Sequence, residues 1–258
     1  MNKKFFCITF MLINIFCKSA FAWTYAGRAE ATQSVQIHPE LTARITKKHF
    51  RDGSIINKGA ILFTLNTAKF QAEVSIRKAE LEQAQAEFDA AEKYFSRLRK
   101  TDKRGVPASE IDTAQNEVRK AAANVEQKKA ALKMAQIDLN NTKITAPFSG
   151  RIGKSEHSTG SYVTPENVLA EIVQINPIRI VFAMPDKDYL SLRNTGKNLK
   201  YELTLADETL FNGTIEKDFE DNTMNPETGT INIWLKADNQ DNILLPGALV
   251  RVTVTSEE

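Results

Sequence analysis

Few side chains of the kinds that catalyse reactions or bind metals occur in this chain. Its histidines and cysteines are scattered, namely His38, His49, His157, Cys7 and Cys17. A structural zinc site needs about four Cys or His ligands at close spacing, and no such group is evident. His157 beside Glu156 could contribute to a metal site, but an exposed loop histidine is the simpler interpretation. The sequence therefore predicts no metal.

Other catalytic motifs are also missing from the sequence. It contains no glycine-rich phosphate-binding loop, no nucleophile elbow and no motif of paired catalytic carboxylates. The Asp and Glu residues of the helical region are adequately explained as solvated faces. We therefore expect a protein that is not an enzyme and that binds no cofactor.

The strongest concentration of charge is a basic cluster near the middle of the chain, which we call the tip cluster. Its members are Arg97, Arg99, Lys100, Lys103 and Arg104, with Asp102 as the one acid among them. Cations in the last turn of a helix complement the helix dipole. A docking role for a partner explains the cluster equally well, and the spacing does not separate the two interpretations.

Two long heptad patterns flank this cluster. The first places apolar or small residues alternately three and four positions apart, apart from one cation: Phe70, Val74, Arg77, Leu81, Ala84, Phe88, Ala91, Phe95 and Leu98. The second does the same: Ile111, Ala114, Val118, Ala121, Val125, Lys128, Leu132, Ala135 and Leu139. Such a/d seams are typical of coiled coils. Two equal helices predict an antiparallel hairpin over 68–139, kept slim by its alanines.

The break between the two helices is marked by Gly105 and Pro107, because both residues disfavour a helix interior. Ser109 followed by Asp112 resembles a capping box and predicts the start of the second helix. The outer faces of both helices are polar. The hairpin is therefore expected to project into solvent or to lie against sister copies.

Arg77 and Lys128 interrupt the two seams at similar heights once the helices are laid antiparallel. One interpretation is that their stems pack in the seam while the charged ends reach outward. The other is that they pair with acids of a neighbouring protomer, such as Glu80 or Glu126. Both interpretations stay open at this point.

A repeated β pattern lies on either side of the hairpin. The segments Gly53–Leu65 and Gly160–Ile172 align without a gap, and each follows a glycine with apolar strand residues. Asn57-Lys58-Gly59 and Ser149-Gly150 supply turn residues. Each half is too small for a core of its own, so residues 33–67 and 140–175 are expected to form one flattened β-sandwich.

Beyond Pro177 the pattern changes to strands at regular spacing. Five are predicted, at 178–184, 201–205, 213–219, 230–237 and 248–255, with a short helix near 186–193 that closes one end. Period-two alternation, as in Val250, Val252 and Val254, is typical of half-buried antiparallel strands. We expect residues 176–258, together with 23–32, to form a small β-barrel. The fold class is thus α+β and elongated.

Residues 1–22 have the pattern of a cleaved secretory signal, with Lys3 and Lys4 before an apolar stretch and a small-residue site ending at Ala22. The stretch is shorter than the about 20 residues that span a bilayer, which disfavours an anchor, and bulky Phe16 before Cys17 disfavours a lipoprotein. Removal of the signal leaves 31 basic and 32 acidic residues and no cysteine. The charge gives no reason to expect binding to nucleic acid.

Several motifs, in this order, resemble the periplasmic adaptor subunits, or membrane fusion proteins, of tripartite efflux pumps of the resistance-nodulation-division (RND) class. They are Gly27-Arg28, Asp52-Gly53, the segment Lys58–Phe63, the segment Thr142–Gly153 and Leu244-Leu245-Pro246-Gly247. The resemblance implies a lipoyl-like barrel-sandwich hybrid, a hairpin and a β-barrel. It also implies a periplasmic assembly of six copies, as a hexamer or trimer of dimers, between an inner-membrane RND transporter and a TolC-like outer-membrane channel. The cargo would be drugs or other small molecules.

In that family the hairpin tip docks on the channel through an Arg, a Leu four positions on and a Ser eleven positions on. Arg97 matches, whereas Thr101 and, after a one-residue deletion, Pro107 replace the other two. The resemblance therefore predicts channel docking by the tip residues Arg97, Leu98, Lys100, Lys103, Arg104, Gly105 and Val106, with the tip cluster substituting for the missing contacts.

Typical members also have a membrane-proximal domain built from both ends of the chain. The sequence has neither part, so we expect a short form with weakened contact to the pump. Two alternatives stay open: an adaptor of an ABC-type or type I exporter, and a periplasmic coiled-coil scaffold without a role in transport. A lipoyl or biotin carrier is disfavoured because the hairpin replaces the turn that would hold the modified lysine.

Overall fold

The computed structural model describes residues 22–100, 107–195 and 199–256. They form two compact units, one from the described residues up to Thr32 and from Ile175 onward, the other from Gln33–Gln174. The helices are α1 (Ala68–Lys100), α2 (Ala108–Asn141) and α3 (Asp186–Thr195). The strands are β1 (Ala22–Ala31), β2 (Ser34–Ile37), β3 (Ala43–Lys48), β4 (Ile55–Ile56), β5 (Ile61–Leu65), β6 (Lys143–Thr145), β7 (Gly150–Ile152), β8 (Tyr162–Val163), β9 (Ala170–Val173), β10 (Ile178–Pro185), β11 (Leu199–Thr204), β12 (Ile215–Glu220), β13 (Thr230–Ala237) and β14 (Leu249–Ser256).

The unit of Gln33–Gln174 contains two four-stranded sheets, in the orders β2-β9-β7-β4 and β6-β5-β3-β8. Strands β2 to β5 precede the hairpin, and strands β6 to β9 follow it. If each of the first four is exchanged with its counterpart among the second four, taken in chain order, the strand order of one sheet becomes that of the other. Each sheet therefore takes two strands from each repeat. The predicted barrel-sandwich hybrid, split by the hairpin, is confirmed.

Matching backbone hydrogen bonds show that the sequence repeat is a structural repeat. Gly53 donates to the carbonyl of Ile152 at 3.0 Å, and its counterpart Gly160 donates to the carbonyl of Ile45 at 2.8 Å. Both glycines have a left-handed φ, of 79° and 97°, which other residues adopt at a cost. The core is shared equally, with seven buried apolar residues from each half, among them Phe63 and Ile152.

Gly150 acts through close packing and not through the turn that the sequence suggested. It lies in β7 without a left-handed φ, and a Cβ added there would lie 2.4 Å from the carbonyl oxygen of Val173. The turn chemistry comes instead from Ser149, whose hydroxyl accepts a hydrogen bond from the backbone N–H of Lys58 at 2.8 Å. The strands β7 and β9 can approach because residue 150 has no side chain.

The hairpin begins and ends at two adjacent strands, because β5 pairs antiparallel with β6. At the start of α1, the Asn66 side chain accepts the backbone N–H of Ala68 at 3.0 Å. At the end of α2, the fully buried Thr142 donates its hydroxyl to the carbonyl of Leu139 at 2.6 Å, and its own carbonyl accepts from Leu65 at 2.8 Å. Both helix ends are therefore tied to the sheet.

The other unit is a six-stranded antiparallel sheet in the order β11-β14-β1-β10-β13-β12, which agrees with the predicted small barrel domain. Inward-facing residues alternate along β10, β13 and β14, as in Val250, Val252 and Val254 of β14. Helix α3 packs on β10 and β13, with Leu192 buried in the core. The buried Asn239 donates to the carbonyls of Ile175 and Leu244, both at 2.8 Å, which satisfies its amide.

Candidate partner-binding surface of the hairpin

The seams of the two long helices lie where the heptad pattern predicts. Every predicted seam position of α1 and α2 is buried or half-buried. The fully buried residues of α1 and α2 are small, namely Ala84, Ala114 and Ala135. Small residues let helix backbones approach closely, so this coiled coil is slim as expected. The predicted hairpin is confirmed.

The two seam cations meet on one carboxylate of the same chain. Arg77 contacts both carboxylate oxygens of Glu80 at 3.2 Å and also bonds Glu73 at 2.8 Å. Lys128, on the other helix, donates to Glu80 Oε2 at 3.1 Å. We call Arg77, Glu80 and Lys128 the seam network. It joins α1 to α2 through a polar contact in the half of the hairpin nearer the sheets.

The seam network changes the acidity of its carboxyl group. Hydrogen bonds from Lys128 and then Arg77 hold the pKa of Glu80 below its usual range, and the reciprocal bond to Glu80 raises the pKa of Arg77. All three side chains are about one-third exposed, so the stems are packed while the charged groups stay accessible. Glu80, expected as an acid for a neighbouring protomer, is already engaged within its own chain.

A second polar contact joins the helices closer to the tip. The Tyr94 hydroxyl on α1 donates to Glu110 Oε1 on α2 at 3.0 Å, and this bond raises the pKa of Tyr94. The Arg97 guanidinium lies over the Tyr94 ring at 5.9 Å from its centre, within the range of a cation–π contact. Tyr94 thus contacts both the opposite helix and a residue of the tip cluster.

The last turn of α1 carries Arg97, Arg99 and Lys100. Arg97, Arg99 and Lys100 are exposed, whereas Leu98 is half-buried in the seam. The predicted docking residues Lys103, Arg104, Gly105 and Val106 lie outside the described residues. The described part of the tip is therefore a cationic end of a helix, which suits an anionic or dipolar partner surface.

The predicted capping box at the start of α2 is wrong. The N-cap is Pro107, in an extended conformation (φ −62°, ψ 141°) and without a side-chain capping bond. Ser109 lies inside the first turn, where its carbonyl accepts the Thr113 hydroxyl at 2.8 Å. Proline disfavours a helix in the residues before it, because its ring clashes with the preceding turn and it has no N–H. The helix therefore begins after Pro107, and Ser109 lies past the capping position.

Two of the histidines considered for metal chemistry contact oxygen atoms of the chain. The ring nitrogens of His49 and His38 contact the Thr64 hydroxyl at 2.8 Å and the Pro165 carbonyl at 3.2 Å, respectively. Within the described ranges, no three or more His, Cys, Asp or Glu residues are grouped as metal ligands. None of the helices in those ranges is both long and apolar enough to cross a bilayer.

Two polar contacts of the hairpin, the seam network within one chain and the bond from Tyr94 to Glu110, were not predicted from the sequence. The i, i+3 spacing of Arg77 and Glu80 was a usable signal for an ion pair within one helix. The bond from Tyr94 to Glu110 had no comparable signal, because it depends on the register between two helices.

Two family models match the chain, one in each unit. The barrel-sandwich hybrid domain of RND membrane fusion proteins matches residues 33–175. The β-barrel domain of the same proteins matches residues 177–258. The first match includes the hairpin, which is inserted between the two halves of the sandwich.

Two individual efflux proteins are similar to this chain over most of its length. The chain is 33% identical to the multidrug efflux pump subunit AcrA of Escherichia coli K12 over 87% of the chain and 60% of AcrA. It is 34% identical to the efflux pump periplasmic linker BepF of Brucella suis biovar 1 over 91% of the chain and 59% of BepF. It therefore spans about 60% of the length of these relatives.

A solved structure shows the same fold. A MacA-MexA chimeric protein that contains the Pseudomonas aeruginosa MexA α-hairpin domain superposes with a TM-score of 0.66, over 93% of the chain and 83% of the chimera, at 19% identity. Taken with the two family models, the split sandwich, its hairpin and the following barrel show that this chain belongs to the family of RND membrane fusion proteins.

Proposed function

We propose that the chain is a periplasmic adaptor that links an inner-membrane RND transporter to a TolC-like outer-membrane channel, for efflux of drugs or other small molecules. The observation that carries this proposal is the pair of RND family models over both units. Those models favour an RND transporter over an ABC-type exporter as the inner-membrane partner. In this role the protein is a non-enzymatic linker that reaches the periplasm through a cleaved signal at residues 1–22 and is held at the inner membrane by the pump.

The exposed cations at the end of α1 support channel docking by the tip. Arg97, Arg99 and Lys100 end a coiled coil whose two helices are tied together below them by Tyr94 and Glu110. A braced helix end presents its charges with little loss of conformational freedom on binding. The docking residues Arg97, Leu98, Lys100, Lys103, Arg104, Gly105 and Val106 are part of this proposal.

Crosslinking in cells tests the docking. A photo-reactive residue replaces Arg97 in one strain and Arg119 in another, and adducts are identified by mass spectrometry. Arg119 is an exposed position of α2 away from the end of α1, which makes it the matched control. We expect an adduct with an outer-membrane channel protein from position 97 and none from position 119. Self-adducts alone from position 97 would favour the scaffold function.

Self-association of the adaptor, as a hexamer or trimer of dimers, is a second part of the proposal, with Arg77 and Lys128 contributing between protomers. Their accessible charged ends support it, although Glu80 of the same chain engages both. Reversing both charges to Glu should lower the oligomer fraction in analytical ultracentrifugation while helical circular dichroism persists. The control reverses Lys78 and Lys129, which are 69% and 66% exposed on the same helices. An unchanged oligomer would contradict the role of the two seam cations.

A further inference from the structure

The barrel unit contains a cavity of about 250 Å³ beneath α3, which we call the α3 cavity. Three buried apolar side chains line it: Met184, Leu192 and Ile233. Its polar lining comes from other elements: Tyr189 and Arg193 of α3, Tyr201 of β11, and Lys217 and Glu220 of β12. Small-molecule sites combine an apolar wall with a few placed polar groups in this way.

One acid in the α3 cavity is already satisfied by its neighbours. Glu220 accepts the Tyr189 hydroxyl at 2.9 Å on one oxygen and the Lys217 ammonium on the other. The bond from Lys217, followed by that from Tyr189, lowers the pKa of Glu220. Glu220 therefore neutralises Lys217 and has both oxygens engaged.

The Tyr201 hydroxyl is a donor with no acceptor among the described residues. Its side chain is 9% exposed, and its hydroxyl makes no hydrogen bond to any described residue. Every side-chain nitrogen or oxygen that is sealed from solvent in the described ranges does have a partner, so the Tyr201 oxygen is not sealed, and Tyr201 is one of the residues that line the α3 cavity. Burial, and then the Glu220 charge, raise the pKa of Tyr201 to about 12, which keeps the hydroxyl protonated as a donor.

Arg193 adds a positive charge to the cavity, and no direct bond to Glu220 neutralises it. It is exposed at the rim, lines the cavity and makes no hydrogen bond or ion pair with a described residue. Among the described residues that line the cavity, Lys217 and Glu220 are paired, which leaves one positive charge on Arg193. The cavity thus has a cationic rim, a hydroxyl donor that no described residue pairs, and an apolar wall.

We propose that the α3 cavity binds a small anionic amphiphile, such as a medium-chain carboxylate, with its carboxylate between Arg193 and Tyr201 and its tail against Met184, Leu192 and Ile233. The volume is below the roughly 300–1,000 Å³ of sites for drug-sized ligands, so the ligand is small. This site is independent of docking on a channel or pump.

Isothermal titration calorimetry of the purified chain with octanoate tests the site. Tyr201→Phe removes the hydroxyl and keeps the ring, and Arg193→Gln removes the charge at an exposed position. Each should weaken octanoate binding about tenfold, which corresponds to about 1.4 kcal/mol, since each variant loses a hydrogen bond to a charged group. Tyr162→Phe and Arg251→Gln change an exposed tyrosine and an exposed arginine elsewhere and should leave binding unchanged.

The charge of the ligand is tested with two analogues of the same chain length. Octanol should bind about tenfold more weakly than octanoate, and octylammonium more weakly still. Octylammonium binding as tight as octanoate would overturn the assignment to anions. No octanoate binding at millimolar concentration, or equal affinity in the Arg193→Gln variant, would overturn the site itself. Should Tyr201→Phe fail to fold, as judged by circular dichroism, the exposed Arg193→Gln variant decides.

Discussion

The hairpin and the sandwich sheets belong to one compact unit, yet different forces hold them together. The sheets enclose fourteen buried apolar residues, including Phe63 and Leu65, whereas the fully buried residues of α1 and α2 are three alanines. The hairpin relies instead on half-buried side chains and on polar contacts such as the seam network. The sheets therefore supply most of the folding energy, while the hairpin contacts set the alignment of its helices.

The largest expected effect comes from a phenylalanine-to-alanine substitution, which is made once in the sheets and once in the hairpin. Phe63→Ala should lower the free energy of unfolding by about 3–5 kcal/mol, because the ring is fully buried and leaves a cavity. Phe88→Ala removes the same atoms from a half-buried seam position, and we expect a loss of about 1–2 kcal/mol. Urea unfolding measures both. Equal losses would show that the hairpin seam is packed as tightly as the sheets.

Close packing of the sandwich is tested at a glycine. Gly150→Ala places a Cβ against the Val173 carbonyl and should lower the free energy of unfolding by about 3 kcal/mol, as overpacking does. Gly153→Ala is the matched control, since its nearest atom would lie at an ordinary 3.5 Å. Thermal unfolding of the two variants should differ clearly. A stable Gly150→Ala variant would mean that β7 and β9 can separate without loss.

A smaller effect is expected at the seam network. Glu80→Gln should lower the unfolding temperature of the hairpin by roughly a few degrees. The helical circular dichroism signal measures this temperature. Because the pKa of Glu80 is lowered in the folded chain, its contribution is present above the unfolded pKa of about 4.3 and is lost as pH falls through the lower folded value. The wild type and the variant should therefore converge in acid.

The control for this change is Glu82→Gln. Glu82 is 70% exposed, and its ammonium partner Lys78 lies 3.9 Å away on the same helix. This variant should unfold like the wild type at neutral pH. A pH-independent difference between Glu80→Gln and the wild type would assign the effect to packing and not to charge.

The smallest expected effect is on alignment at the tip. Tyr94→Phe removes the hydroxyl that bonds Glu110 and keeps the ring beneath Arg97. Spin labels at positions 99 and 108 should then show a broader distance distribution in electron paramagnetic resonance, with the same mean helicity. Glu110→Gln should broaden the distribution less, because an amide oxygen still accepts. Glu117→Gln, whose partner Lys120 is on the same helix, is the control.

Much of the fold could be predicted from local sequence. The glycine pair Gly53 and Gly160 marks the repeat because both positions need a left-handed φ. The a/d seams predicted both long helices, because a heptad spacing places one face of each helix against the other. These features depend on residue type and spacing alone.

The features that could not be predicted depend on contacts between distant segments. The role of Gly150 follows from a strand that is more than twenty residues away. The bond between Tyr94 and Glu110 and the α3 cavity require side chains from separate elements to meet. Such meetings depend on register and rotamer, which spacing along the chain does not specify.

The pairing of β5 with β6 has a further consequence. The hairpin takes the place of a tight turn between two neighbouring strands. The pairing of these strands therefore does not depend on the length of the insertion. Each heptad added to both helices would extend the arm by about 10 Å without altering a single strand register. Reach is thus an adjustable dimension of this architecture, separate from the ability of the sandwich to fold.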